Sequence, residues 1–214
     1  MFVTILLQKT KKGERMMSVV IAIKKNDRIY MAADTQTSCG DRKKTYHGEV
    51  SRKICRFDNG ILLGHVGAVH NCQIVCAHPE IFTVPEDGNM TKKYIVQNMI
   101  PKLFKLYRDN DMCLKEEGEP AKLGDAYILA YKDKLFRIDG VFDVEVLGHF
   151  AEVGSGGDLT HAGLCELDAA DIQDERVIEE RLTELLRISA SRTMSVSGPY
   201  YLINSVDRKF KIAE

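Results

Sequence analysis

Apolar positions along the chain recur with two periods, one suited to strands and one to helices. Residues 19–23 and 29–33 are short, largely β-branched apolar runs around a charged turn at 24–28, which predicts a β-hairpin with both strands well buried. A second hairpin is predicted for 53–57 and 61–66, joined through Asp58, Asn59 and Gly60, where the Asn-Gly pair is a strong turn signal. A third joins 126–131 to 134–138, residues 141–153 supply one or two further strands, and 200–203 with 210–212 form a C-terminal hairpin. Helical spacing appears at 68–77 after Gly67, and at 94–107, where Ile95, Met99, Ile100, Leu103, Phe104 and Leu106 share a face and Pro101 permits a kink. Two more helices are predicted over 159–170 and 172–190, the second carrying Val177, Ile178, Leu182, Leu185, Leu186 and Ile188. Residues 35–50 are polar and turn-rich, an excursion from the sheet, and 112–124 reads as an exposed loop.

The order is therefore strands, two helices, strands, two helices, strands, with no internal repeat. It suits an α+β architecture in which two antiparallel sheets stack centrally and helix pairs cover them outside, a four-layer αββα sandwich. A chain of 214 residues can bury such a core in one domain, expected over 18–214. The 44% hydrophobic and 29% charged fractions are ordinary for a soluble protein, and a net charge of −1 gives no electrostatic footprint for nucleic acid or an anionic membrane. No apolar run approaches the roughly 20 residues of a membrane span. The cysteines at 39, 55, 72, 76, 113 and 165 are scattered and mostly in apolar surroundings, so reduced, buried thiols of a cytoplasmic protein are expected rather than a disulfide framework. His70, Cys72, Cys76 and His78 crowd together on a predicted apolar helix, but their spacing matches no common zinc pattern; no metal and no cofactor is called for.

Residues 1–17 stand apart. Their short apolar run has no preceding basic region and no following small-residue cleavage site, so a secretory signal fits poorly. Lys11, Lys12, Gly13, Glu14 and Arg15 precede a double Met, and purine-rich codons there would resemble a ribosome-binding site read through as protein. The segment is a leader, a propeptide or a mis-assigned start. With Met17 as initiator, its removal before the small Ser18 would leave Ser18 at the amino terminus.

Polar residues at the ends of buried strands are the candidates for chemistry. Ser18 opens the first strand and Asp34 closes the second, which makes them near neighbours in an antiparallel pair. Lys53 opens the next hairpin, Gly67 sits at a strand-to-helix turn, and Ser155 lies in the loop Gly154-Ser155-Gly156-Gly157. A free N-terminal serine carries nucleophile and base on one residue, because its α-amine, with an ordinary pKa near ~8, can accept the hydroxyl proton. A neighbouring ammonium would favour deprotonation, and Asp34 would hold Lys53 in place. Read without that chemistry, Ser18 is a strand-start serine, Asp34 a turn cap, Lys53 a surface charge and the glycine loop a phosphate cradle lacking the P-loop lysine.

Five pieces in order carry a resemblance: Ser18 on an apolar strand, Ala32-Ala33-Asp34-Thr35-Gln36, Arg52-Lys53-Ile54-Cys55-Arg56, Gly64-His65-Val66-Gly67, and Gly154-Ser155-Gly156-Gly157. Together they resemble the HslV and proteasome β-subunit family of N-terminal nucleophile hydrolases, over most of the chain. The resemblance implies Ser18 as nucleophile, Asp34 and Lys53 as the buried acid and lysine, Gly67 as the oxyanion-hole amide, and Ser155 as the serine beside the α-amine. It also implies a polypeptide or peptide substrate, a homo-oligomeric ring with internal active sites, and an ATP-driven AAA+ unfoldase as partner. Three departures stand out. Serine replaces the usual threonine and loses the methyl that helps fix the rotamer. No glycine precedes the nucleophile, and the position of the family's acid near the last helix's end falls on Arg192 or Thr193. A non-catalytic ring subunit and a small-molecule amidase of the same fold are the competing readings.

Overall fold

The computed structural model describes residues 18–39, 42–45, 52–114 and 117–214, with the side chains of 38–39 and 42–45 outside that description. The expected leader at 1–17 and much of the polar excursion lie outside the described residues.

In chain order, β1 (Val20–Lys25) and β2 (Arg28–Asp34) form the first hairpin. Its two-residue turn places Asn26 and Asp27 at φ 50° and 57°, the left-handed conformation that matches strand twist. The excursion contributes a separate ladder, β3 (Gln36–Cys39) with β4 (Arg42–Thr45). Then come β5 (Ile54–Arg56), β6 (Leu62–Val66), α1 (Val69–Cys76) and a short 3-10 turn at Pro79–Ile81. A continuous helical run follows: α2 (Lys92–Tyr94), a π-helical turn (Ile95–Met99) and α3 (Ile100–Asp109). Pro101 has no N–H to donate, and the helix widens just before it, with Ile100 N–H reaching back to Ile95. The expected kink is thus a wide turn.

The second half holds β7 (Cys113–Leu114), β8 (Lys122–Leu123), β9 (Ala126–Tyr131), β10 (Lys134–Asp139), β11 (Asp143–Leu147) and β12 (Phe150–Val153). Helices α4 (Gly157–Ala169) and α5 (Glu175–Arg192) lead to β13 (Tyr200–Asn204) and β14 (Lys211–Ala213). The stretch expected to be a plain loop at 112–124 carries the short β7–β8 ladder, because Cys113 and Leu123 face one another across it.

Two five-stranded antiparallel sheets form the centre, ordered β12-β1-β2-β13-β14 and β11-β10-β9-β6-β5. Residues 141–153 are thus divided: β11 extends β10 in one sheet, and β12 crosses to pair with β1 in the other. Alternate residues of β1 serve different layers. Val20 and Ala22 meet Met31, Leu62, Val66 and Ile128 between the sheets, while Val19, Ile21 and Ile23 meet Leu164, Leu182 and Leu186 of α4 and α5. On the far side, Leu63, Tyr127, Leu129 and Phe136 pack under Val75, Met99, Leu103 and Tyr107. The result is the four-layer αββα sandwich, and burial on both faces explains why the strands read as unbroken apolar runs.

One expectation fails. Cys55 and Cys76 form a disulfide that ties β5 to α1, whereas Cys72 is a buried free thiol and Cys165 an exposed one. The two bonded residues lie 21 apart in sequence but their Cα atoms are 6.4 Å apart, a proximity created only by the packing of helix on sheet. No described helix is long and apolar enough to cross a membrane.

Candidate active site

Ser18 is buried at the entrance to β1, and the end of β2 lies beside it as antiparallel pairing requires. Asp34, fully buried, reaches back across the hairpin. Its Oδ1 accepts the Val19 amide at 2.9 Å and the Lys53 ammonium at 2.6 Å, while Oδ2 accepts the Gln36 amide at 3.1 Å. One carboxylate thereby links the backbone directly after Ser18 to the lysine that precedes β5. Burial pushes the Asp34 carboxyl above its ordinary range, opposed by Lys53 and the two amides. Burial likewise pushes Lys53 below the ordinary lysine value, opposed by Asp34. A lysine so poised holds its proton less firmly than one in water, and buried groups perturbed in this way cluster at functional sites.

The glycine loop grips Ser18 from the other side. Gly156 N–H donates to the Ser18 carbonyl at 3.3 Å. A Cβ added at Gly154, whose φ is 96°, would stand 2.3 Å from that oxygen and 3.1 Å from Val66, so only glycine fits between β1 and β6 there. The same contact brings the end of β6 next to Ser18. His65 N–H donates to the Lys53 carbonyl at 2.7 Å, and Gly67 follows at φ 140°, turning the chain into α1. Ser18, Asp34, Lys53, Gly67 and the Gly154–Gly157 loop are accordingly gathered at one end of the two sheets.

Ser155 has a partner that sequence reading did not supply. Its Oγ lies 2.9 Å from the Oγ of Ser195, in the segment joining α5 to β13. That segment also crosses the site through Gln36 Nε2 to Met194 O at 2.7 Å and Thr35 N to Ser197 O at 3.3 Å. The two positions on which the family acid falls do not replace it: Thr193 Oγ1 donates to Ser189 O at 3.1 Å, and Arg192 is exposed. Nothing local distinguishes Ser195 from Ser191 or Ser197; only the return of the chain over the glycine loop does. Of the cysteine and histidine cluster weighed above, Cys76 is bonded to Cys55 and His78 pairs with Glu80.

No protein-family model matches the chain, and no curated protein matches it in sequence. Solved structures do. "Thiobacillus denitrificans BPH" superposes with a TM-score of 0.67 at 17% identity, covering 87% of this chain and 96% of that one. HslV from Trypanosoma brucei gives a TM-score of 0.59 at 16% identity over 87% of this chain and 98% of its own. An Anbu mutant from Hyphomicrobium sp. strain MC1 gives 0.67 at 14% identity over 91% and 86%. The chain has the fold of these HslV-like and Anbu proteasome-like proteins.

Proposed function

We propose that the protein is an N-terminal nucleophile peptidase of the HslV and proteasome type, whose catalytic domain spans 18–214 and whose nucleophile is Ser18. The observation that carries this reading is the shared carboxylate of Asp34, which joins the Val19 amide to Lys53 beside Ser18. In the proposed reaction the Ser18 hydroxyl attacks the substrate carbonyl carbon as its proton passes to the Ser18 α-amine, with Lys53 favouring deprotonation electrostatically. The tetrahedral oxyanion is held by the Gly67 amide. Its collapse breaks the C–N bond, the leaving amine takes the proton, and an ester to Ser18 remains. Water then attacks the ester with the amine again as base, releasing a carboxylic acid and restoring Ser18. Ser155, bonded to Ser195, would orient the amine in place of the family acid.

On this reading the protein acts on polypeptide or peptide substrates, assembles as a homo-oligomeric ring and takes substrate from an AAA+ unfoldase. A cytoplasmic placement belongs to the same reading; the Cys55–Cys76 bond removes the thiol-based reason for it. The absence of an acid at Arg192 and Thr193 is what favours the second reading, a ring subunit without catalysis.

The test compares the full chain, verified as uncleaved, with a chain whose amino terminus is verified by mass spectrometry as Ser18, and with Ser18→Ala. A peptide bond at Ser18 turns the amine into an amide that cannot act as base near neutral pH. The free-Ser18 chain is expected to hydrolyse short peptides, with both others slower by at least ~10²-fold, the scale of lost general-base assistance. Equal turnover by the uncleaved chain, or by the chain lacking the hydroxyl, would refute the assignment.

A further inference from the structure

Behind the Gly67 turn, on the outer face of the second sheet, lies a buried polar cluster that the proposed reaction does not use. Asp125 directly precedes β9, and because Val66 pairs with Ala126 it falls opposite Gly67. Asp125 is 2% exposed, and its carboxylate faces groups from β6, α1 and α3. Oδ1 accepts the Ala68 amide at 2.9 Å and stands 3.3 Å from His65 Nε2 of β6. Oδ2 accepts Asn71 Nδ2 of α1 at 2.7 Å and the Tyr107 hydroxyl of α3 at 2.5 Å, and Tyr107 is itself bonded to the Tyr127 hydroxyl.

The contact with Gly67 is closer than any side chain would tolerate: a Cβ there would meet Asp125 Oδ1 at 1.7 Å. Gly67 is thus held on both sides, by the β6–β9 ladder at Val66 and by the carboxylate on the Ala68 amide, at a φ of 140° that a glycine is otherwise free to leave. We propose that Asp125 is the positioning residue of the oxyanion turn, its carboxylate fixing the Gly67–Ala68 peptide so that the Gly67 amide stays aimed at the substrate oxygen. This rests on the reading of Gly67 as the oxyanion donor.

An uncompensated carboxylate one peptide away from a developing oxyanion would oppose catalysis by repulsion. The cluster meets that cost. Burial alone would lower the His65 imidazole, but its buried neighbours Cys72 and Asp125 push it up to about 9, which favours the charged form that offsets the carboxylate 3.3 Å away. Burial would raise Asp125, but His65, Tyr107 and Asn71 hold it below the ordinary carboxylate range.

The experiment uses protein with a verified free Ser18 and the variants Asp125→Ala, Asp125→Asn and Tyr107→Phe. Each is assayed for kcat and KM on a peptide amide and for affinity toward two peptides of one sequence. One ends in an aldehyde, whose adduct with Ser18 places an oxygen in the oxyanion seat; the other ends in a primary amide, which leaves that seat unfilled. Asp125→Ala should lower kcat by about 10²-fold, the cost of losing one oxyanion donor, with KM changed by less than about 3-fold. Aldehyde affinity should fall with kcat while amide affinity holds. Asp125→Asn, which keeps an acceptor for Ala68, should restore much of the loss, and Tyr107→Phe should show the same selective pattern in miniature. If Asp125→Ala does not fold, those two variants decide. Unchanged kcat, or aldehyde and amide affinities falling together, overturns the positioning role. A wild type that neither turns over substrate nor binds aldehyde more tightly than amide refutes the Ser18 reading and this inference with it, a result visible before any variant is made.

Discussion

Lys53 and Asp34 form a buried ion pair 2.6 Å long, and such a pair is stable only while both members are present. Lys53→Met should therefore damage two properties at once. It strands a fully buried carboxylate, expected to cost about 3–5 kcal/mol in urea unfolding, and it removes the proposed electrostatic support for Ser18. Combining Lys53→Met with Asp34→Asn should recover part of the stability, since the stranded charge is gone, but none of the activity, read as release of product from a fluorogenic peptide. Recovery of both together would make the pair purely structural. These residues were legible in the sequence because each is polar at the end of an apolar run, where burial is already implied. Ser195 and Asp125 were not: one is among several serines in a loop, the other an acid before a strand, and either reads locally as solvent-facing. Their surroundings come from β6, α1, α3 and the glycine loop, distant in the chain.

The disulfide joins the elements that directly follow Lys53 and the Gly67 turn, since Cys55 sits in β5 and Cys76 ends α1. Closing a loop of this length restricts the unfolded chain by about 3 kcal/mol, so replacing both Cys55 and Cys76 with Ser should lower stability by that order. Denaturation midpoints of the native protein with and without a thiol reductant should show the same difference, and a reductant that leaves the midpoint unmoved would contradict it. The hairpins were readable because strand period, turn residues and short connections all agree locally. Three features were beyond such reading. Cysteine pairing depends on α1 packing over β5. The division of β11 from β12 depends on which sheet has a free edge, which an alternating pattern does not encode. The π-helical turn before Pro101 keeps the same apolar spacing as a kinked α-helix, so periodicity alone chose the commoner form.

At the scale of the whole molecule, the proposed reading implies a closed assembly. Val177 on α5, Leu159 on α4 and Ile188 near the end of α5 are apolar and exposed in the single chain. Light scattering of the free-Ser18 protein at rising concentration should give a ring-sized particle; a monodisperse monomer throughout would exclude the ring. The strand order also dictates when a working site can exist during synthesis. The strand after Ser18 lies between β2, its immediate successor, and β12, more than a hundred residues later, while β2 must wait for β13 to cover its other edge. Chains emerge from the ribosome amino end first, and pairings so distant in sequence form slowly. Ser18, the proposed nucleophile, is made early, yet its sheet closes last. A nascent chain thus carries Ser18 exposed but without the glycine loop that grips it, and a truncated product ending before residue 150 would lack both that loop and β12, leaving β1 with an open edge. On the proposed reading, hydrolytic competence is in this way timed to the arrival of β12 and β13 beside β1 and β2.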